Sequence, residues 1–139
     1  MSQIDKEQIA IMIKDIERYF ADLKTIQIET KRDFEIPEKR HAVSMLVFSV
    51  INRSIDISNE IIAGSSLQAP GTYRDSFEIL QKAKIISIVT SNKMIFLAKY
   101  RNIIAHQYYI LTSDELNTIR KKIYDVENFV EEIKKYMRK

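Results

Sequence analysis

The segment AKYRNIIAHQYY, residues 98–109, holds the side chains whose types and spacing are best suited to chemistry. Arg101, Asn102 and His106 interrupt a strongly apolar stretch, where an arginine is costly unless its charge is paired or reaches water. Histidine can take or give a proton because its pKa lies near neutrality. Arginine can hold a phosphate and stabilise charge that builds on its oxygens. Together they form a minimal set for metal-free RNA cleavage by internal attack, with a 2′,3′-cyclic phosphate product. The same pair could equally bind a phosphate without cleaving it.

Helix geometry constrains how these residues can cooperate. At ~100° per residue, Asn102 and His106 share one face of a helix, and Arg101 and Tyr108 share another. Arg101 and His106, in contrast, diverge by roughly 140° around the axis. Either the helix loosens near His106, or a second copy of the protein completes the site. A symmetric dimer packed along this helix would bring two arginines and two histidines together.

The composition excludes several other kinds of site. The chain has no cysteine, which rules out disulfides, zinc–thiolate sites and thiol nucleophiles. Its only histidines, His41 and His106, are too few for a histidine-rich metal site within one chain. Its two glycines match no nucleotide-binding loop. We therefore expect neither a metal nor a cofactor, and we predict that His41 is a surface residue.

The overall composition is that of a globular protein. With 139 residues, 45% of them apolar and 29% charged, the chain is expected to form one domain over residues 1–139. A net charge of +3 is too small to identify a nucleic-acid-binding protein by itself. The charged N-terminus does not resemble a signal peptide, and no apolar run approaches the ~20 residues that span a bilayer. We expect a soluble, cytoplasmic protein that does not enter a membrane.

Apolar residues recur at helical spacing through the first half of the chain. The first predicted helix covers about Asp5–Ile28, and a charged linker follows from Glu29 to Glu35. Pro37 suits the first turn of a second, long helix, for which Gly64 is the predicted C′ residue. Ser49, Asn52, Asp56 and Asn59 form a polar stripe along one face of this otherwise apolar helix. Such a stripe needs partners or water.

The second half of the chain contains three further helical segments. A short helix follows the capping pair Thr72 and Asp75, and a fourth begins between Ser87 and Asn92 and reaches about His106. The last helix follows the capping box formed by Thr112 and Glu115. Two glycines and two prolines leave few residues for tight turns. We therefore predict an all-α fold, an antiparallel up-and-down bundle of four long helices plus a short one.

The string Arg101-Asn102-x3-His106-x-Tyr108 resembles the R-x4-6-H-x-Y signature of HEPN domains, in particular the HepT-like toxins. The segment IDISNEII, residues 55–62, is similar to the matching part of that family. So are the pattern Tyr73-x3-Phe77-x2-Leu80 and the long amphipathic helix after the motif. The resemblance covers most of the chain.

The resemblance implies a metal-independent endoribonuclease toxin of a type VII-like toxin–antitoxin pair. It implies a symmetric homodimer in which Arg101 and His106 of both subunits line an interfacial cleft that binds RNA. Asn102 matches the polar residue that commonly follows the arginine. Tyr108 matches the tyrosine that a cognate minimal nucleotidyltransferase antitoxin modifies with AMP. That modification would add bulk and negative charge at the mouth of a phosphate-binding cleft.

Several assignments remain open at this stage. Asn52 and Asp56 either face the cleft, with Asp56 pairing with Arg101 or orienting His106, or belong to a packing network or a solvated face. Asn102 is expected to support His106 from one turn below. One rival function is a non-catalytic HEPN module that docks a nucleotidyltransferase or binds nucleotide. Another is a structural helical dimer in which Arg101 and His106 only satisfy each other.

Overall fold

The computed structural model of the protein describes residues 3–139, with Tyr108 described by its backbone alone. Within this range the chain forms helices and connecting loops, and no strand is present. The α-helices are α1 (Lys6–Thr25), α2 (Pro37–Gly64), α3 (Tyr73–Lys82), α4 (Ile88–Ala98), α5 (Arg101–Gln107), α6 (Ser113–Lys122) and α7 (Val126–Met137). Short 3₁₀ helices cover Lys31–Glu35, Tyr108–Ile110 and Ile123–Asp125. The predicted all-α fold is confirmed.

Helix α2 is the central element of the molecule. Val47, Val50 and Ile51 on this helix are fully buried, because α1 packs along it while α3, α5 and α6 cover its other sides. A helix that is apolar nearly all round is stable only when it is covered in this way. Within the described range, no helix combines the length and apolar character that crossing a membrane requires.

The segment between α1 and α2 is more ordered than the predicted charged linker. Helix α1 ends at Thr25, and residues Lys31–Glu35 form a 3₁₀ helix. Thr30 and Asp33 form a capping box: the Thr30 hydroxyl accepts from a backbone amide of the first turn, and the Asp33 carboxylate accepts from the Thr30 amide. The turn buries Phe34, which is 1% exposed, in the core. A single apolar residue among charges has no periodicity, so apolar spacing does not predict a helix here.

Gly64 ends α2 for a reason other than the predicted one. No described glycine has a positive φ, and the left-handed residue after α2 is Ser66, with φ of 56°. A Cβ atom on Gly64 would lie 2.7 Å from the Cα atom of Ile4. The amide of Gln3 also donates to the Gly64 carbonyl oxygen over 2.7 Å. Glycine is needed here because the N-terminal segment crosses the end of α2 at backbone contact distance.

The predicted fourth helix is in fact two helices, α4 and α5, separated by a turn at Lys99 and Tyr100. The amide of Tyr100 donates to the carbonyl oxygen of Leu97 over 3.1 Å, a tight i→i−3 bond. The last predicted helix is likewise divided into α6 and α7 by the 3₁₀ turn Ile123–Asp125. The first break matters for function because α5 begins with Arg101.

Candidate active site

Four side chains from α2, α3 and α5 contact the guanidinium of Arg101. Its guanidinium Cζ lies 5.2 Å from the ring centroid of Phe48 on α2 and 5.1 Å from that of Tyr73 on α3. Its Nε donates to Oδ1 of Asn52 over 3.2 Å, and its Nη1 donates to Oδ1 of Asn102 over 3.0 Å. Aromatic faces and amide oxygens together fix both the position and the plane of the group.

These contacts leave the charge of Arg101 uncompensated. Both hydrogen-bond acceptors are neutral amides, and no carboxylate in the described structure forms an ion pair with the guanidinium. A guanidinium has five N–H donors, and the two hydrogen bonds use one each on Nε and Nη1. The remaining donors can bind an anion, and their planar arrangement matches two oxygens of a phosphate.

His106 lies in the last turn of α5 and is exposed. Helix α5 is α-helical from Arg101 to Gln107, so the helix does not loosen before His106. The structure does not bring the two residues together within one chain: Arg101 is half-buried against α2 and α3, and His106 faces outward. Asn102, expected to support His106, accepts a hydrogen bond from Arg101 and makes none to His106 in the described structure.

The polar stripe of α2 divides among different partners. Asn52 faces Arg101, as described above. Asp56 does not pair with Arg101; its Oδ2 accepts from Nη1 of Arg53 over 2.6 Å. Arg53 in turn reaches Asp15 on α1, with 3.1 Å between Nε and Oδ2. Of the alternatives for Asp56, pairing with Arg101 is wrong: Asp56 pairs instead with Arg53, which lies three residues away on the same helix.

Ser49 and Asn59 form hydrogen bonds within the fold, and Asn59 also lines a cleft together with Tyr73 and Asn102. Oδ1 of Asn59 accepts from the Ser76 hydroxyl on α3 over 2.9 Å, which ties α3 to α2. The Ser49 hydroxyl donates to the Met45 carbonyl oxygen of its own helix over 2.9 Å. Asn52 is therefore the one member of the stripe whose hydrogen bond reaches the candidate site in the described structure.

Sequence reasoning missed Phe48 as a site residue. Helical periodicity assigns aromatic residues to the core, and Phe48 indeed packs against it. The available signal was its position: Phe48 precedes Asn52 by one turn, so both side chains lie on the same face of α2. Tyr73 belonged to the family-like pattern, but its position against Arg101 required the tertiary structure.

Two clefts open beside Arg101, one of about 490 Å³ and one of about 380 Å³. Thr72, Tyr73 and Asn102 line both of them, so Tyr73 and Asn102 connect each cleft to the arginine. Among the described residues, no group of three or more histidine or carboxylate side chains is placed to hold a metal ion.

The turn after α5 is anchored to the start of α2. The guanidinium of Arg40 donates to the carbonyl oxygen of Tyr109 over 3.4 Å and also to that of Leu111. The side chain of Tyr108, which the resemblance implies as the AMP acceptor, lies outside the described part of the structure. His41 is exposed, as predicted.

Comparison with known proteins supports the resemblance. The mRNA nuclease HepT of Shewanella oneidensis is 28% identical over 123 residues, which cover 88% of this chain and 87% of that protein. A tri-AMPylated HEPN toxin of the same organism, solved in complex with an MNT antitoxin, aligns with a TM-score of 0.73 and 27% identity over 96% of this chain and 98% of that one.

A third similar protein shares the fold. The structure of YutE from Bacillus subtilis aligns with a TM-score of 0.84 and 23% identity, over 99% of this chain and 93% of that one. The profile of the HepT-like ribonuclease family matches residues 10–133. That match spans most of the chain, including Arg101, Asn102, His106 and Tyr108, and the chain therefore belongs to the HepT-like ribonuclease family of HEPN proteins.

Proposed function

We propose that this protein is the ribonuclease toxin of a toxin–antitoxin pair, and that it cleaves RNA without a metal ion. The observation that supports the proposal most is the uncompensated charge of Arg101. Its guanidinium is fixed between Phe48 and Tyr73 and hydrogen-bonded to neutral amides. Arg120 is also held by a neutral amide, so what distinguishes Arg101 is that its charge lies between two aromatic rings beside two open clefts. A site that receives a phosphate requires a fixed, unpaired cation that an anion can reach.

The residues present suit cleavage by internal attack. Arg101 binds the scissile phosphate and stabilises the charge that develops on its oxygens. His106 takes the proton from the 2′-hydroxyl, and the 2′-oxygen then attacks phosphorus. The bond to the 5′-oxygen breaks, and that oxygen receives a proton from the second histidine of the dimer. The products are a 2′,3′-cyclic phosphate and a free 5′-hydroxyl.

A second copy of the chain is proposed to complete this site. Regular α-helix from Arg101 to Gln107 separates Arg101 and His106 by roughly 140° around the axis. Large apolar side chains are also exposed directly after α5: Tyr109 is 68% exposed and Ile110 is 56% exposed. Apolar surface of this kind is typical of a protein interface. A two-fold axis along α5 would cover it and bring both histidines to one cleft.

Tyr108 is proposed as the site of control. The similar toxin from Shewanella oneidensis is AMPylated and bound to an MNT antitoxin. Transfer of AMP from ATP to the phenol oxygen of Tyr108, with loss of the phenol proton and release of pyrophosphate, would add a phosphodiester with a negative charge two residues from His106. That charge would compete with RNA phosphates for Arg101 and block the cleft. The partner is therefore a nucleotidyltransferase antitoxin that reverses the toxicity.

The test compares RNA cleavage by wild-type protein, His106→Ala and the matched control His41→Ala, in the presence of a chelator. Intact mass is measured first, because AMP on Tyr108 would silence an active enzyme. We expect cyclic-phosphate ends from wild type and from His41→Ala, and a loss of about 100-fold or more for His106→Ala. Unmodified, folded wild-type protein that leaves varied RNAs intact would instead indicate a docking module for a nucleotidyltransferase.

A further inference from the structure

The larger cleft beside Arg101 lies between α3 and α4 and has a volume of about 490 Å³. Tyr73 and Asn102, which both contact Arg101, form part of its wall, so the cleft continues directly from the candidate active site. The Thr72 hydroxyl and the amide of Asn92 add hydrogen-bonding groups to the wall. This volume is within the range of pockets that bind small organic groups.

The wall of this cleft is positively charged. Two cations line it, Arg74 and Lys99, and no carboxylate is among the described residues that line it. Arg74 is already paired with Glu78, with 2.8 Å between Nε and Oε1. Lys99, in contrast, forms no ion pair in the described structure and is the charge that the cleft can offer to an anion.

Lys99 is held in place by aromatic rings. Its Nζ lies 4.3 Å from the ring centroid of Phe96 and 5.1 Å from that of Tyr100. The two rings contact each other edge to face, with centroids 5.5 Å apart. Cation–π attraction at these distances restrains a side chain that would otherwise sample many rotamers. A restrained ammonium group loses less entropy when it binds a ligand.

A second ammonium group approaches the same ring. Nζ of Lys122 lies 5.3 Å from the Phe96 centroid and, like Lys99, forms no ion pair in the described structure. Two like charges around one ring repel each other, and an anion bound near them would relieve the repulsion. Lys122 does not line the cleft, so it adds positive potential around Phe96 while Lys99 is the cation at the cleft wall.

Lys99 lies in the turn between α4 and α5, and Arg101 is the first residue of α5. Two residues apart, their Cα atoms are separated by at most about 7 Å. Side chains this close can reach consecutive phosphates of one strand. The helix break thus supplies the second cation of a short basic track that begins at Arg101.

We infer that this cleft binds the nucleotide next to the scissile phosphate of single-stranded RNA. Lys99 contacts the phosphate of that nucleotide, and the amide of Asn92 faces its base. A base paired in a duplex could not enter the cleft, which is why the ligand is a single strand. The inference rests on the proposed ribonuclease function, because it takes the phosphate at Arg101 as the one that is cleaved.

The test measures binding of a single-stranded RNA oligonucleotide over a series of salt concentrations, with His106→Ala protein to prevent cleavage. In this background Lys99→Ala is compared with Lys14→Ala, which removes the same charge from an exposed position on α1 outside the cleft. We expect Lys99→Ala to weaken binding about tenfold and to reduce the slope of log K against log salt by about 0.7. Lys14→Ala should leave the slope unchanged.

A second variant separates positioning from folding. Phe96→Leu keeps an apolar side chain but removes the ring that holds Lys99, and circular dichroism melting shows whether the variant folds. We expect it to weaken RNA binding when Lys99 is present and to have little further effect in Lys99→Ala protein. Coupling of this kind is what a double-mutant cycle detects, and a change in packing alone would not produce it.

The outcomes distinguish failure of the proposed nucleotide-binding cleft from failure of the proposed ribonuclease function. If wild type cleaves RNA while Lys99→Ala behaves like Lys14→Ala, the cleft is not the neighbouring site and the ribonuclease function stands. If wild type cleaves no RNA and His106→Ala binds none, both are overturned. Lys99-dependent binding by a chain that cleaves nothing would support the cleft as an RNA site and overturn the proposed ribonuclease.

Discussion

The function of Arg101 depends on the geometry of its side chain as well as on its charge. Two rings and two amide oxygens hold its guanidinium in one plane. A lysine at the same position would carry the charge, but its ammonium group has no plane to stack and no fork of donors. The two cations are therefore not interchangeable in this site, although both bind phosphate elsewhere.

We expect Arg101→Lys to lower the rate of RNA cleavage by about 100-fold, because removing an aligned donor to developing charge typically costs this much. Single-turnover cleavage is the measurement, with circular dichroism to confirm folding. Arg120→Lys is the matched control, since Arg120 on α6 is also held by an asparagine side chain, Asn117, through Nε and Nη2. Activity of Arg101→Lys within twofold of wild type would show that charge alone suffices.

Asn52 tests whether the charge of Arg101 must stay uncompensated. Asn52→Asp keeps the size and the acceptor oxygen of the side chain but places a carboxylate on the guanidinium. We expect RNA cleavage to fall about 10- to 100-fold, with the melting temperature unchanged or raised, because the new ion pair competes with the substrate phosphate. The control is Asn117→Asp, which places the same carboxylate on the guanidinium of Arg120, outside both clefts. Full activity of Asn52→Asp would contradict the proposed phosphate site.

The free energy of unfolding is expected to depend on pH through the carboxyl group of Asp33. Hydrogen bonds from the backbone amides of Thr30 and Glu29 hold the pKa of its carboxyl below the usual value, and Lys39 contributes further. Because the pKa is lower in the folded state than in the unfolded state, ionised Asp33 stabilises the fold above about pH 4. This stabilisation is lost as the pH falls through the lowered pKa.

We therefore expect Asp33→Asn to melt a few degrees below wild type at pH 7, with the difference shrinking below about pH 4. Thermal melting between pH 7 and pH 3 is the measurement. Asp114→Asn is the control, because Asp114 is an exposed carboxylate whose ion pair with Lys31 lies on the surface. A difference between Asp33→Asn and wild type that stays constant over this range would refute the assignment.

Among the elements, the ends and breaks of helices were the hardest features to predict. Spacing of apolar residues located each helical segment, because burial of one face repeats every three or four residues. The turn at Lys99 and Tyr100 contains neither glycine nor proline, so the apolar pattern passes through it without interruption. A turn with an i→i−3 bond changes the helix path without changing residue type.

The end of α2 depends on the small size of Gly64, which contacts the backbone of Ile4. We expect Gly64→Ala to destabilise the protein by about 1–3 kcal/mol, because the new Cβ would meet the Ile4 backbone at 2.7 Å. Chemical denaturation measures the free energy of unfolding. At Gly71 an added Cβ would meet only a carboxylate oxygen of Asp75, at 3.2 Å, so Gly71→Ala is expected to cost less. Equal stability of Gly64→Ala and wild type would show that the N-terminal segment moves aside easily.

Across the whole molecule, the candidate site could be predicted only in part. The motif singled out Arg101 and His106, and the polar stripe on α2 included Asn52. Neither pattern could show that Asp56 turns to Arg53, since the choice depends on which cation lies nearer in the folded chain. The separation of Arg101 from His106 followed from helix periodicity, and the regular α5 helix agrees with it.

Because Arg101 and His106 are separated within one chain, the activity is expected to depend on the assembled dimer. If one cleft on the dimer axis uses both histidines, one as base and one as acid, then a single His106→Ala subunit should inactivate the whole dimer. Co-expression of wild-type and His106→Ala chains with different tags allows the mixed dimer to be purified by two affinity steps. We expect its cleavage rate to fall below about a tenth of the wild-type rate.

Independent sites in the two subunits would give a different value. A mixed dimer with one intact, self-contained site would retain about half of the wild-type rate. A mixed dimer of wild-type and His41→Ala chains, expected to be fully active, controls for tagging and assembly. Half activity would show that each phosphate uses one histidine, as in a self-contained site or in two sites that each combine Arg101 of one subunit with His106 of the other. It would overturn the use of both histidines on one phosphate. Failure to isolate any mixed dimer would overturn the proposal of a cleft shared by two subunits, because two chains that do not associate cannot contribute two histidines to one phosphate.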